Sequence, residues 1–91
     1  MNRSQLVEAV AAAAGLSARD ADQAVAAVLD SIVAAVSQGE RVTLPGFGVF
    51  EHRTRAARTG RNPQTGEAME IPASVIPAFK AAAAFRRQAG A

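Results

Sequence analysis

The chain has 91 residues, enough for one small domain, and 49% of them are hydrophobic. Much of that fraction is alanine, and the large apolar side chains are few, with four Phe and no Trp or Tyr. The lack of Cys excludes disulfides, thiolate metal sites and sulfur nucleophiles, and one His cannot build a metal cluster. Because so small a core is a weak basis for a lone monomer, we expect a partner chain to complete the fold.

The formal net charge of +2 is unevenly distributed along the chain. Residues 1–40 carry two arginines and five acidic side chains, a net charge of −3. Residues 41–91 carry eight basic and three acidic side chains, a net charge of +5. This asymmetry indicates an acidic scaffold half and a basic contact half. No apolar run suits a membrane span or a secretion signal, so we expect a cytoplasmic protein.

The first predicted element is a short helix over residues 3–14. Apolar side chains recur four residues apart within it, which is the spacing of one helical face. Asn2 is a suitable N-cap, and Gln5 stands where the reciprocal bond of a capping box is made. Gly15 can end the helix in the left-handed conformation that favours glycine.

A second helix is predicted after Ser17, and it ends at Gly39. Ser17 and Asp20 have capping-box spacing, and an acidic residue in the first turn suits the positive end of the helix dipole. A single apolar stripe then runs along the helix from Val25 to Val36. The two helices together predict a helical hairpin.

The alternating pattern of strands replaces the helical period after Gly39. Residues 41–44 predict one strand, and a second begins after the turn Pro45-Gly46-Phe47-Gly48. Two glycines at this spacing also occur in phosphate-binding loops, but no helix follows here to hold the phosphate. We therefore favour a tight turn that sends aromatic side chains into the core. The predicted dimer core combines these side chains with the helical stripe: Val28, Leu29, Ile32, Phe47, Phe50 and Phe79.

A ribbon with four arginines and no acidic residue follows over residues 53–66. Arg53 and Arg55 share one strand face, whereas Arg58 has the opposite parity, so either the ribbon bulges or coils between them or Arg58 points elsewhere. A solvated hairpin usually mixes charges of both signs. Unpaired guanidinium groups repel one another, and binding to a polyanion lowers that repulsion. The pattern, with Arg61 as its fourth member, therefore favours contact with nucleic acid.

A turn over Asn62-Pro63-Gln64-Thr65-Gly66 ends the ribbon, and residues 67–71 predict its return strand. Pro72 and Pro77 lack a backbone donor and belong at breaks or on sheet edges. Residues 75–79 rejoin the sheet, and a terminal helix is predicted over residues 81–88 with Phe85 inward and Arg86 and Arg87 outward. We find no nucleophile–base pair in the sequence, so an enzyme is not expected.

The chain resembles the bacterial HU/integration host factor family of DNA-bending proteins over essentially its whole length, and it is closer to HU. The resemblance rests on five motifs: Gly46-Phe47-Gly48-Val49-Phe50, Arg55-Ala56-Ala57-Arg58, Gly60-Arg61-Asn62-Pro63-Gln64-Thr65-Gly66, Ile71-Pro72-Ala73 and Pro77-Ala78-Phe79-Lys80.

The resemblance implies an α+β fold in a single domain over residues 1–91. The N-terminal helical hairpin, residues 1–40, is then the dimerisation base. Residues 41–80 form an antiparallel three-stranded sheet with a long β-ribbon arm at residues 53–75, and residues 81–91 form a short C-terminal helix. The family also implies an intertwined homodimer whose two arms extend around DNA.

The function implied by the resemblance is architectural, histone-like and largely independent of DNA sequence. The arms bind the minor groove of double-stranded DNA, Pro63 intercalates as a wedge, and the bent DNA is condensed in the bacterial nucleoid. No cofactor and no metal are implied. The DNA contacts carried over from the family fall on Arg3, Arg53, Arg55, Arg58, Arg61, Asn62, Pro63, Gln64, Thr65, Lys80 and Arg86.

One departure from the family is the run Ala81-Ala82-Ala83-Ala84, which stands where a Gly-Lys pair is usual. A phosphate contact expected at Ala83 is therefore missing, and we expect Arg86 and Arg87 to compensate. Two alternatives to an HU-like function stay open. One is a sequence-preferring bender like integration host factor, and the other is a dimeric module whose basic arm binds RNA or an acidic protein.

Overall fold

The computed structural model describes residues 1–90, which divide into two compact units, residues 1–34 and the residues from Ala35 onward. The predicted α+β class is confirmed. In chain order the elements are α1 (Arg3–Ala14), α2 (Ala18–Ser37), β1 (Val42–Leu44), β2 (Gly48–Arg55), β3 (Arg58–Arg61), β4 (Ala68–Ile71), β5 (Ser74–Ala81) and α3 (Ala83–Ala89).

Helix α1 begins and ends where its sequence predicts. The backbone N–H of Gln5 donates to Asn2 Oδ1 at 2.9 Å, and the backbone N–H of Asn2 donates to Gln5 Oε1 at 2.9 Å. This capping box satisfies donors that no helical carbonyl can reach. Gly15 closes the helix at φ 68°, and its N–H donates to the carbonyl of Ala11.

Helix α2 also has the predicted N-cap, because the Ser17 hydroxyl accepts the Asp20 N–H at 3.1 Å. The helix ends at Ser37, two residues before the predicted end at Gly39. Gly39 takes φ 85° and donates to the Val36 carbonyl, while Glu40 donates to the Ala35 carbonyl. Gly39 therefore lies in the closing turn, where its left-handed backbone satisfies the last free carbonyls.

The first unit has a small core. Val7, Ala21 and Val25 are buried, with Val10 and Ala11 packed against them. All five are small to medium side chains, so their burial removes little apolar surface from water.

The main sheet is antiparallel with strand order β1-β2-β5, which confirms the predicted three-stranded sheet. A tight turn joins β1 to β2, with the Phe47 N–H donating to the Leu44 carbonyl at 3.0 Å. Pro45 and Gly46, at φ 78°, occupy the two central positions that a type II turn requires. The predicted turn is confirmed, and β2 then continues unbroken to Arg55.

The outer part of the arm is a separate two-stranded sheet of β3 and β4. Residues 56–57 interrupt one side of the arm and residues 72–73 the other, between the main sheet and this outer hairpin. Pro72 lies in that break, and Pro77 lies in β5, an edge strand of the main sheet. Both prolines therefore occupy the kinds of position predicted for them.

The C-terminal helix begins at Ala83, so the prediction that it starts at Ala81 was wrong. Ala81 is the last residue of β5 and pairs with Gly48, and the Ala82 N–H donates to the Phe47 carbonyl at 2.9 Å. These sheet bonds override the helix propensity of the alanine run. Among residues 1–90, no helix is long and apolar enough to cross a membrane.

Candidate nucleic-acid interface

The two faces of the main sheet differ in chemistry. Phe50 and Phe79 are cross-strand partners with ring centroids 4.7 Å apart, so they define an aromatic face. Phe47 joins them at 5.5 Å from Phe79, and Phe85 of α3 lies 5.1 Å from Phe47. Aromatic side chains from the turn, two strands and α3 thus form one cluster, with Phe85 inward as predicted.

The opposite face, which we call the basic face, follows from strand alternation. Along β2 it presents Glu51, Arg53 and Arg55, and across the register from Val49 it presents Lys80 of β5. Both arginines are exposed, and neither makes an ion pair within residues 1–90. The predicted pairing of Arg53 and Arg55 on one strand face is confirmed.

Arg58 follows Arg55 after the break between β2 and β3. Both residues line one groove of about 400 Å³, together with Ile71, Pro72 and residues beside them. Of the alternatives predicted before Arg58, the structure shows a coil. Two residues on each side lie outside the strands, and the register is the same before them (Arg55 opposite Ser74) and after them (Arg58 opposite Ile71), so neither side carries the extra residue of a bulge. Within the described residues, neither arginine pairs with a carboxylate.

The outer hairpin carries its two large apolar side chains on one face. In its register Arg58 lies opposite Ile71 and Gly60 opposite Met69, which places these four residues on one face. The other face carries Arg61, which lies opposite Ala68, along with Thr59 and Glu70. Met69 is 47% exposed, so one large apolar side chain of the hairpin is uncovered in the isolated chain.

The tip of the arm is held by hydrogen bonds that leave Pro63 exposed. Asn62 Oδ1 accepts the Gln64 N–H at 2.9 Å, and the Asn62 carbonyl accepts the Gly66 N–H at 2.7 Å. The Thr65 hydroxyl accepts the Glu67 N–H at 3.3 Å, and Gly66 has φ 73°. The predicted turn is confirmed, and the Asn62 side chain makes a hydrogen bond within it.

The remaining predicted contact residues lie on the helices and on β5. The Arg3 guanidinium lies 3.7 Å from Asp22 in an exposed ion pair. Lys80 and Arg86 line one groove of about 330 Å³ with Arg41 and Glu51. Arg41 was not among the predicted contact residues, although its even spacing from Thr43 at the start of a predicted strand was a signal for its face.

The predicted dimer-core residues are largely uncovered in the single chain. Val28 is 57% exposed and Leu29 45%, and they line an apolar groove of about 250 Å³ with Leu6 and Val10 of α1. Ile32 and Phe50 are half-buried, whereas Phe47 and Phe79 are exposed. Among residues 1–90, no group of three or more His, Asp or Glu side chains is placed to hold a metal ion.

Comparison with known proteins relates the whole described chain to one family. Residues 1–90 match the family described as bacterial DNA-binding protein. The DNA-binding protein HU of Geobacillus stearothermophilus is 62% identical over 80 residues, covering 88% of this chain and 89% of its own length. HU of a Nostoc species is 52% identical over 88 residues, covering 97% of this chain and 94% of its own.

A solved structure of Anabaena HU in a cocrystal with DNA has the same fold. It superposes with a TM-score of 0.88 at 51% sequence identity, covering 99% of this chain and 98% of that one. The sequence resemblance to HU is thus confirmed by sequence and by structure. The chain belongs to the bacterial DNA-binding protein family that includes HU.

Proposed function

We propose that this chain is a non-enzymatic, homodimeric architectural protein that binds and bends double-stranded DNA largely without regard to sequence. One observation carries the proposal: exposed arginines without carboxylate partners lie on one face of β2, and Arg55 lines a groove together with Arg58 beyond the break. A surface of this kind meets a regular array of negative charges, which the backbone of duplex DNA provides.

Affinity in this account comes from phosphate neutralisation. Each arginine that binds a phosphate releases condensed counterions, so binding weakens steeply as salt rises. Arginine also suits a narrow minor groove, because its planar guanidinium is weakly hydrated. Neither interaction reads the bases, so preference among DNAs comes from groove shape and deformability.

Bending is assigned to the tip of the arm. Pro63 presents an exposed apolar ring, while the hydrogen bonds of Asn62 and Thr65 hold the chain around it. A wedge of this kind unstacks a base step at a cost of a few kcal/mol, which is recovered when the bent duplex meets more protein surface. Gln64, exposed beside it, completes the assigned tip contacts.

Dimerisation is assigned to the apolar residues that the single chain leaves uncovered. Val28, Leu29, Phe47 and Phe79 are each more than 40% exposed. Monomeric proteins rarely expose so many large apolar side chains in patches. In this proposal residues 1–40 form the base of an intertwined dimer, residues 53–75 the arm, and the whole chain one domain.

The cellular role that follows is compaction of DNA in the cytoplasmic nucleoid. The contacts assigned to the body of the protein are Arg3, Lys80 and Arg86. Ala83 supplies no charge, so the arms carry a larger share of the binding free energy than in relatives with a lysine there.

Gel-shift titrations of scrambled duplexes of equal length test this function at two salt concentrations. We expect dissociation constants that agree within a few-fold among sequences and rise steeply with salt. Strong preference for one sequence would instead indicate a bender like integration host factor. Competition by RNA or an acidic peptide at concentrations where duplex DNA does not compete would contradict the proposal.

A further inference from the structure

An ion pair lies within the basic face of the main sheet. Arg41 Nε and Nη2 both donate to Glu51 Oε2, at 2.9 Å and 2.6 Å. The Arg41 side chain is 67% exposed, whereas that of Glu51 is only 23% exposed. Two charge-assisted hydrogen bonds therefore converge on a carboxylate that is largely withdrawn from water.

The position of Glu51 is unusual because its neighbours on the same face are basic. Arg53 is the next residue along that face of β2, and Lys80 lies across from Val49 on the preceding row. Within residues 1–90, Glu51 is the one acidic side chain that β1, β2 and β5 present there. Arg86 joins Arg41, Glu51 and Lys80 around the groove described above.

We propose that Glu51 limits the affinity of this protein for DNA by keeping Arg41 from binding a phosphate. The inference rests on the proposed DNA-binding function and adds a residue that opposes it. The carboxylate oxygen occupies the two donors that a phosphate oxygen would otherwise receive. Drawing Arg41 away to a phosphate would leave a largely buried carboxylate unpaired, and that desolvation penalty opposes the exchange.

A purely structural role for the pair leads to a different expectation. If the cross-strand pair only joined β2 to the start of β1, its loss would change stability and leave DNA binding nearly unchanged. An affinity-limiting role instead predicts that removal of the carboxylate strengthens binding. The gain in DNA affinity should depend on Arg41, because the freed guanidinium makes the new contact with a phosphate.

The test measures dissociation constants for one linear duplex across a salt series. The variants are Glu51→Gln, Arg41→Ala and the double variant, with Glu51→Thr as a second charge-removing change to a residue favoured in strands. Glu40→Gln is the matched control, because it removes the same charge from an exposed residue that has no ion-pair partner within residues 1–90. Arg55→Ala reports independently on the proposed arm contact.

We expect Glu51→Gln to bind more tightly than wild type and to steepen the log–log salt slope by about two per dimer, one contact per protomer. Its advantage should then shrink about tenfold between 50 and 200 mM salt. Arg41→Ala should leave the salt slope of the wild type unchanged, because Arg41 makes no phosphate contact there, and should abolish the gain in the double variant. Glu40→Gln should leave the slope unchanged.

Two results would overturn the inference while leaving the proposed function intact. One is wild-type or weaker affinity for both Glu51 variants when Arg55→Ala does weaken binding. The other is a gain that persists in the double variant, since that would be a general charge effect without Arg41. Failure of the wild-type protein to bind duplex DNA would reject the proposed function itself, and this inference with it.

Discussion

Arg55 and Arg58 line the same groove although three positions separate them along the chain. In a continuous strand an odd separation would send their side chains to opposite faces. Strand pairing is interrupted between them at residues 56–57, and on the other side of the arm at residues 72–73. The two exposed arginines border one groove at this interruption, where a single polyanion can meet both.

The arginines of the arm should contribute to DNA binding through phosphates. Replacing Arg55, Arg58 or Arg61 by Ala should weaken binding to all duplex sequences alike. The log–log salt slope should fall by about two per dimer for each substitution, because each arm loses one contact. Filter binding over a salt series measures this slope.

Arg19→Ala is the control for the arginine series, because it removes the same charge from an exposed position on α2. Its slope should match that of wild type. Unchanged slopes for all three arm variants would place the DNA interface elsewhere on the molecule.

Gly48 should be required for packing of the aromatic face. A Cβ at this position would lie 2.5 Å from the Phe79 ring and 2.6 Å from the Lys80 carbonyl oxygen. Because the second neighbour is backbone, Gly48→Ala should lower the free energy of unfolding by about 1–3 kcal/mol or more. Thermal unfolding at one fixed protein concentration measures the loss.

Gly60→Ala provides the comparison, since its Cβ would approach only the flexible end of Ile71, at 2.9 Å. We expect a much smaller change in melting temperature for this variant. Equal melting temperatures for Gly48→Ala and wild type would show that the close approach at Gly48 is not a packing constraint.

Dimerisation should couple to folding, so the melting temperature should rise with protein concentration. Val28 and Val75 offer a matched pair, because each is 57% exposed in the single chain. If Val28 is buried in the dimer, Val28→Thr should cost about 1–3 kcal/mol for each buried hydroxyl, whereas Val75→Thr on the arm should cost little. A concentration-independent melt together with a monomeric mass in ultracentrifugation would contradict the dimer.

Asn62 should act by holding the tip of the arm. Because its Oδ1 accepts the Gln64 N–H, Asn62→Ala should speed amide hydrogen exchange at Gln64 in the free protein. Asn62→Asp keeps an oxygen acceptor and should preserve the protection. Equal exchange rates of the Gln64 amide in wild type and Asn62→Ala would contradict this role of Asn62.

The sequence was sufficient to predict the elements whose signals are local. The capping box of Asn2 and Gln5, the turn around Gly46 and the tip after Asn62 all depend on residues a few positions apart. Parity also indicated either an irregular backbone before Arg58 or an Arg58 side chain that points away from Arg55. Family motifs then supplied the three-stranded sheet with its arm and the function, which periodicity does not determine.

Features that depend on distant pairing were harder to predict. The alanine run has high helix propensity, but Ala81 belongs to β5 because Gly48, far away in sequence, pairs with it. Arg41 was overlooked because only the register of β1 against β2 brings it to Glu51. The predicted DNA contacts and dimer core remain predictions, since they concern molecules outside the chain.

The central claim is that the arms bend DNA through Pro63, and end-to-end fluorescence transfer on a labelled duplex tests it most directly. Wild-type protein at saturation should shorten the end-to-end distance of intact linear DNA. Pro63→Ala should restore most of that distance. The variant should also lose more affinity for intact than for nicked duplex, because unstacking at a nick requires less free energy. The account is contradicted if Pro63→Ala bends intact DNA as far as wild type does, or if wild type leaves the distance unchanged.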